Sequence, residues 1–109
     1  MWADLDSVRG NEANQRRPVV IVSNDGANRE AEQLGRGVVT VVPISSNVSR
    51  VFAFQVLFPA ARGPLRRDSK AQAEQIRSLS VARLGRPVGR LPADLLADVD
   101  DAIRLQLSL

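Results

Sequence analysis

The sequence predicts a small, mostly β protein, an antiparallel barrel with one helix at its C-terminus. Two observations predict this fold: several short β-branched runs are separated by turn residues, and an apolar stripe at helical spacing closes the chain. A length of 109 residues corresponds to one domain, residues 1–109, which can bury a core without disulfides or metals.

Three strands are predicted in the first half of the chain. WADL resembles the end of a strand, and a polar loop is expected from Asp6 to Arg16. RPVVIVS is a continuous β-branched run, which is typical of a strand buried on both faces. NDGANREAEQLGRG predicts a turn with one helical turn, closed by Gly35 and Gly37. VVTVVPIS predicts the next buried strand, with Pro43 at a sheet edge or bulge.

The second half predicts shorter strands. VFAFQVLF alternates, so Phe52, Phe54, Val56 and Phe58 should share one face, which favours core packing over a base-stacking platform. After the loop PAARGPLRRD, SKAQAEQIRSL predicts one bent strand or two short ones. SVARL predicts a helical turn with Ser80 as its N-cap, and RPVGRL predicts a strand.

A helix is predicted from Pro92 to Leu107. Proline suits the first turn of a helix, and Asp94 suits the positive end of the helix dipole. One stripe at helical spacing contains Leu95, Val99, Ala102 or Ile103, and Leu107. The stripe predicts core packing or a dimer contact, and the acidic face should point to solvent.

The composition excludes several chemistries. Histidine and cysteine are absent, which removes the imidazole base, the thiol nucleophile and nearly every zinc or transition-metal site, so no metal or cofactor is expected. No apolar run is long enough to span a membrane and no signal peptide opens the chain, so we expect a cytoplasmic location.

Charge is unevenly distributed along the chain. The net charge is +3, but residues 91–109 carry four aspartates against one arginine, so the rest of the chain is more basic. Fourteen of the fifteen basic residues are arginine, the side chain that binds phosphate in bidentate fashion. This basic body predicts a polyanionic partner; a codon bias towards arginine is the alternative explanation.

Three segments together resemble the MazF/PemK family of toxin ribonucleases: GNEANQRRPVVIVSND, VPISSN and DSKAQAEQIRSL. The resemblance runs in order through nearly the whole chain. It implies an SH3-like antiparallel barrel that acts as a homodimer, cuts single-stranded RNA at short sequences, and is neutralised by a MazE-type antitoxin. Members carry a short segment ahead of the tryptophan, so the resemblance also implies a shortened first strand.

The resemblance assigns the site. The family motif G-x-E, a loop and R-P falls on Gly10, Glu12, Arg17 and Pro18. Arg17, which precedes the proline, therefore takes the role of the essential arginine. Ser45 stands where the family usually has threonine, and it keeps the hydroxyl donor. The predicted RNA-binding residues are Arg16, Asn11, Ser46, Asn47, Arg66, Arg67, Asp68, Ser69, Lys70, Gln72 and Gln75. Successive residues along a strand point to opposite faces, so only every second one of the residues on a strand can face RNA.

The residues also suit metal-independent RNA cleavage on physical grounds. The neighbouring 2′-hydroxyl of RNA can serve as the nucleophile, so the protein must stabilise charge on a five-coordinate phosphate and help protons move. Arg17 offers a permanently charged fork for phosphate oxygens, and Ser45 can donate a hydrogen bond. Glu12 could orient the guanidinium or act as the base. Without the resemblance, Arg17 would be interpreted first as a solvated residue at the start of a strand. The alternatives for the other two are an ordinary strand-end residue for Ser45 and, for Glu12, a loop charge that only pairs with Arg16.

Two other functions remain open at this stage. A CcdB-like inhibitor of DNA gyrase would use the same barrel without enzymatic activity, but such inhibitors act through a C-terminal tryptophan, and this chain ends LQLSL. An inactive RNA-binding homologue is the third possibility. The arginine before proline, with a hydroxyl at the end of the next strand, favours the ribonuclease.

Overall fold

A computed structural model describes residues 3–9, 16–23 and 37–109. The strands are β1 (Ala3–Arg9), β2 (Arg16–Ile21), β3 (Val38–Ser45), β4 (Gln55–Phe58), β5 (Ser69–Gln72), β6 (Arg77–Ser80) and β7 (Leu84–Leu91). Three short 3-10 turns span Ala60–Arg62, Ala73–Gln75 and Val81–Arg83, and helix α1 spans Ala93–Leu107. The predicted helical turn between residues 24 and 36 lies outside the described residues.

The seven strands form one antiparallel sheet in the order β4-β5-β3-β2-β1-β7, with β6 also pairing with β3. The predicted fold class, mostly β with a C-terminal helix, is confirmed. Strand β3 is central: beyond β2, it pairs with β6 through Val38–Val41 and with β5 through Ile44 and Ser45. Pro43 lies between the residues of β3 that pair with β6 and those that pair with β5. Proline has no N–H to donate, and at this position neither of these two strands pairs with β3.

Both faces of the sheet are covered at β2 and β3, as the β-branched runs predict. Val20 and Val42 pack into the larger core cluster, which contains the buried face of α1. Val19 and Val41 pack into a smaller cluster on the opposite face, with Val39 and Leu79. Because successive strand residues point to opposite faces, two adjacent valines on each strand serve both clusters.

The polar loop predicted from Asp6 is wrong in its extent. Strand β1 continues to Arg9, and Asp6 and Ser7 pair with Val19 and Pro18 of β2. Backbone pairing with β2 and β7 decides the conformation here, although the side chains have low strand propensity.

Two segments fold as short pieces. SKAQAEQIRSL forms two strands, β5 and β6, separated by the 3-10 turn Ala73–Gln75, which agrees with the second of the two predictions. The predicted helical turn at SVARL is present as Val81–Arg83. Ser80 occupies its N-cap position, but its side chain makes no capping hydrogen bond.

Helix α1 confirms the predicted helix and most of its apolar stripe. Leu95, Leu96, Val99 and Ala102 are buried. Leu107, which was predicted in the stripe, is 49% exposed and does not belong to the buried face. No helix within the described residues is long and apolar enough to cross a membrane.

The predicted alternation from residue 51 to residue 58 is wrong before Gln55. The Gln55 N–H donates to the Phe52 carbonyl, which closes a turn, and β4 begins only after it. Val56 and Phe58 are buried, as predicted, but Phe52 is 43% exposed and Gln55 is 8% exposed. The prediction that the whole phenylalanine stripe belongs to the core is therefore wrong for Phe52.

Candidate active site

The β2–β3 ladder places the two predicted catalytic residues that the structure describes at the same end of paired strands. Strands β2 and β3 pair Val19 with Pro43 in an antiparallel ladder. Arg17 lies two residues before Val19 on β2, and Ser45 lies two residues after Pro43 on β3, just beyond this ladder. Because the strands are antiparallel, the start of β2 and the end of β3 lie at the same end of the sheet. Arg17 is exposed and Ser45 is half-buried.

Ser45 pairs with Lys70 of β5, and the two residues form a row across the sheet. Residues directly opposite each other in an antiparallel sheet carry their side chains on the same face. The adjacent row contains Ile44 and Ala71, which point into the core cluster beneath α1. Arg17, Ser45 and Lys70 therefore share the sheet face opposite the helix.

The Ser45 hydroxyl is held by the loop that follows it. Its Oγ accepts a hydrogen bond of 3.1 Å from the backbone N–H of Asn47. Asn47 Oδ1 in turn accepts from the backbone N–H and the hydroxyl of Ser49, at 3.3 and 2.8 Å. These bonds order the exposed segment that contains Ser46 and Asn47. Because the Asn47 bond uses a lone pair of Ser45, the hydroxyl hydrogen can still be donated to a phosphate oxygen.

Lys70 supports the loop and does not line an open groove. Its side chain is 8% exposed, and Nζ donates a hydrogen bond of 2.7 Å to the backbone carbonyl of Arg50. Ser69, 6% exposed, donates through its hydroxyl to the carbonyl of Arg67 at 3.0 Å. Ser69, Lys70 and Ala71 are all buried. The core covers one face of β5 and the loop anchored by Lys70 covers the other.

The remaining predicted RNA-binding residues are dispersed around this row. Arg66, Arg67 and Asp68 are exposed in the loop before β5, and Asp68 Oδ1 accepts from the backbone N–H of Ala60 at 2.9 Å. Gln72 is half-buried in β5 and Gln75 is exposed in the following 3-10 turn. Arg16 opens β2 and pairs with Arg9 of β1. Asn11 and Glu12 lie outside the described residues.

Two features of the structure were not predicted from the sequence. The first is a stack of Arg50, Phe52 and Phe54 on the loop between β3 and β4. The turn-rich segment SSNVS ahead of it could have indicated a loop in place of a continuing strand. The second is a surface cavity of about 450 Å³ between β4 and α1, on which Asp98 and Asp101 border. Their negative charge disfavours RNA there. Within the described ranges, no group of His, Cys, Asp or Glu could hold a metal ion.

Comparison with known families matches residues 1–107 to the PemK-like, MazF-like toxins of type II toxin-antitoxin systems. The chain belongs to this family. The R-P motif predicted membership of the MazF/PemK family, and this prediction is confirmed. A toxin ribonuclease is thereby favoured over a CcdB-like gyrase inhibitor. The match also covers the residues that the structure does not describe, including the G-x-E part of the motif.

Individual members of the MazF family agree with this assignment. The chain is 57% identical over 110 residues to the endoribonuclease MazF9 of Mycobacterium tuberculosis, covering 100% of this chain and 93% of that protein. The fold matches the Mycobacterium tuberculosis toxin MazF-mt6 with a TM-score of 0.78 at 24% identity, covering 97% of both chains. A MazE-MazF structure from Deinococcus radiodurans matches with a TM-score of 0.75 at 25% identity, covering 97% of this chain and 92% of that chain.

Proposed function

We propose that this protein is the toxin of a type II toxin–antitoxin system and acts as a sequence-specific, metal-independent endoribonuclease on single-stranded RNA. The observation that carries the proposal is membership of the MazF family, in a fold that places Arg17 and Ser45 at the same end of the paired strands β2 and β3. The 57% identical relative is named an endoribonuclease, which supports the same enzyme class, an RNA-cleaving hydrolase.

The proposed reaction uses the substrate's own nucleophile. The 2′-hydroxyl oxygen attacks the adjacent phosphorus and loses its proton, the bond from phosphorus to the 5′-oxygen breaks, and that oxygen gains a proton. The products are a 2′,3′-cyclic phosphate and a 5′-hydroxyl end. Arg17 stabilises the charge on the five-coordinate phosphate, and Ser45 donates a hydrogen bond to it. Glu12 orients the guanidinium or takes the proton.

The decisive test compares Arg17→Ala with Arg16→Ala on one RNA substrate. Removing one preorganised donor to developing charge lowers the rate by roughly 10²–10³-fold, which we expect for Arg17→Ala. Its fold should persist because Arg17 is exposed. Arg16→Ala should lose much less activity, since adjacent strand residues point to opposite faces. Equal losses in the two variants would contradict the assignment of Arg17.

The chemistry has a separate test on the substrate. Replacing the single 2′-hydroxyl next to the scissile phosphate with hydrogen should abolish cleavage, whereas the same replacement elsewhere in the RNA should leave cleavage unchanged. Activity should persist in excess EDTA. Cleavage of the 2′-deoxy substrate would refute the mechanism. Loss of activity on the unmodified RNA in excess EDTA would also refute it.

The preference for single strands follows from the exposed loops. Bases in single strands can be splayed apart and read in ways that duplex bases cannot. We therefore expect cleavage of a single-stranded RNA and none of the same sequence annealed to its complement. Equal cleavage of both would contradict this prediction.

We further propose that the protein acts in the cytoplasm as a homodimer and that a MazE-type antitoxin neutralises it. The Deinococcus radiodurans structure contains MazE with MazF, which supports such a partner. The basic loop residues Arg66 and Arg67 would attract an acidic, extended peptide as readily as RNA. A saturating acidic antitoxin peptide should therefore weaken RNA binding by competition. Unchanged RNA affinity would overturn the competition.

A further inference from the structure

Lys70 is a buried cation to which the proposed chemistry gives no role. We propose that it is a positioning residue for the cleavage reaction: it fastens the loop after β3, residues 46–50, and thereby sets the Ser45 hydroxyl for its hydrogen bond to the scissile phosphate. The inference rests on the proposed function and adds to it a residue that acts through Ser45. It replaces the direct RNA contact that the sequence predicted for Lys70.

The surroundings of Lys70 direct its ammonium group to the loop. Lysine is among the residues least often buried, because removing an ammonium group from water is costly unless hydrogen bonds replace the water. Lys70 is 8% exposed, and its Nζ donates a hydrogen bond of 2.7 Å to the Arg50 carbonyl. The acceptor is a backbone atom, so this bond holds the main chain of the loop and not one of its side chains.

The loop that Lys70 holds begins and ends at one row of the sheet. Ser45 and Lys70 pair directly in the β3–β5 ladder. Residues opposite each other in an antiparallel sheet have Cα atoms about 5 Å apart. The chain leaves β3 after Ser45, and the carbonyl of Arg50 accepts the hydrogen bond from the Lys70 side chain. Both ends of the loop are therefore fixed at the row formed by Ser45 and Lys70.

Hydrogen bonds inside the loop connect this fastening to the Ser45 hydroxyl. Ser45 Oγ accepts from the Asn47 N–H at 3.1 Å. Asn47 Oδ1 accepts from the N–H and the hydroxyl of Ser49, at 3.3 and 2.8 Å, and Ser49 directly precedes Arg50. A continuous path of hydrogen bonds and main chain thus runs from Lys70 through the loop to Ser45 Oγ. Because the Asn47 N–H occupies one lone pair of that oxygen, it restricts where the hydroxyl hydrogen can point.

The position of a hydrogen-bond donor matters to the rate because transition-state stabilisation depends on preorganised geometry. A misplacement of about 1 Å, caused by a change outside the reacting groups, can cost about 10²-fold in rate. Without the Lys70 bond, Ser45 stays in β3, but the loop that orients its hydroxyl is released at one end. The released loop slows the chemical step while the groups that hold RNA stay in place.

Lys70→Met separates this role from stability. Methionine is an unbranched side chain of similar length without an ammonium group, so the variant loses the bond to the Arg50 carbonyl but no longer buries a charge. Because Arg50 is exposed, water can take the place of the lost donor. The urea midpoint of Lys70→Met should therefore stay close to that of the wild type.

The test is a double-mutant cycle of Lys70→Met with Ser45→Ala, measured on one single-stranded RNA that carries the cleavage sequence mapped with the wild-type protein. We expect Ser45→Ala to lower kcat about 10²- to 10³-fold, and Lys70→Met to lower it about 10- to 100-fold. In the Ser45→Ala background, Lys70→Met should cost less than about 3-fold, because the hydroxyl that it positions is already gone. Val51→Ala is the control: Val51 is exposed and lies outside these bonds, so kcat should match the wild type.

RNA binding separates positioning from a direct contact. A 2′-deoxy nucleotide at the scissile position of a fluorescein-labelled probe allows the affinity to be measured without cleavage. Lys70→Met should bind this probe like the wild type, with the same dependence on salt concentration. A lysine that contacts a phosphate of a single strand would contribute about 0.7 to the slope of log affinity against log salt. Weaker binding or a smaller slope in Lys70→Met would overturn the positioning role in favour of direct contact.

The coupling between Lys70 and Ser45 decides the proposal. Equal losses of kcat from Lys70→Met in the two backgrounds would overturn it, because Lys70 would then act independently of Ser45. Wild-type kcat of Lys70→Met or of Ser45→Ala would overturn it as well.

A second variant covers the case in which Lys70→Met does not fold. Ser49→Ala removes one hydrogen bond of the loop at an exposed residue. Its smaller loss of kcat should likewise vanish in the Ser45→Ala background, and no loss or a persisting loss would overturn the positioning role. If the wild-type protein does not cleave single-stranded RNA, the proposed function fails and the positioning role fails with it. If it cleaves RNA and the cycle shows no coupling, only the positioning role fails.

Discussion

Replacing Gln55 with leucine should destabilise the protein by removing a buried hydrogen-bond relay. Gln55 is 8% exposed, accepts from the Phe52 N–H at 3.1 Å and donates to Glu74 Oε2 at 2.7 Å. The other carboxylate oxygen, Glu74 Oε1, is buried and has no hydrogen-bond partner among the described residues. Leucine is of similar size to glutamine but can make neither bond. Gln55→Leu would therefore remove the hydrogen bond of Glu74 to Gln55 and leave the Phe52 N–H without its acceptor.

The magnitude follows from the two bonds. A hydrogen bond to a charged group contributes about 1.5–3 kcal/mol, and a neutral one contributes about 1 kcal/mol. Burial of the leucine side chain offsets part of this loss. We expect the free energy of unfolding to fall by about 2–4 kcal/mol, a large fraction of the 5–15 kcal/mol of a typical domain.

Urea unfolding at fixed protein concentration measures the change. The midpoint should fall by about 1–3 M urea with an unchanged slope. Gln75→Leu, the same substitution at an exposed position of the neighbouring 3-10 turn, should change the free energy by less than about 0.5 kcal/mol. In a Glu74→Leu background, Gln55→Leu should cost less than in the wild type, because no carboxylate then loses its donor. Equal costs in the two backgrounds would refute the coupling.

Two further predictions concern the helix start and a close backbone approach. The hydrogen bond from the Arg62 guanidinium lowers the pKa of Asp94 below its ordinary 3.8. A carboxylate whose pKa is lower in the folded state stabilises the protein at pH values above its unfolded-state pKa. That stabilisation is lost as the pH falls through the folded-state pKa. Asp94→Asn should thus be less stable than the wild type at neutral pH, with the difference vanishing in acid and shrinking in high salt. A difference that persists in acid would contradict the linkage. Gly89, at φ +156°, would place a Cβ 2.5 Å from Pro64 Cβ, so Gly89→Ala should lose about 1–3 kcal/mol of unfolding free energy. Gly63→Ala, whose Cβ would meet nothing within 4 Å, is the control, and similar melting curves for the two variants would contradict the close approach.

Local patterns in the sequence determined the elements that depend on near neighbours. The β-branched runs predicted β2 and β3 and their burial on both faces, because side-chain alternation along a strand is independent of what the strand pairs with. Helical spacing, with Pro92 before the first turn and Asp94 within it, predicted α1 in the same way. The motif of Arg17 before Pro18 indicated the family, and the comparison with the family confirmed it.

Only the tertiary structure decided the features that depend on register between distant strands. The pairing of Ser45 with Lys70 joins two strands far apart in sequence, and a shift of one residue in that ladder would turn Lys70 to the other face. The same holds for Phe52. Its alternation with Phe54 predicted the core, but the turn closed by Gln55, together with the Lys70 anchor from β5, places its ring at the surface. Alternation along a segment cannot specify which strand pairs with it or where that pairing stops, because those contacts come from residues far away in the chain.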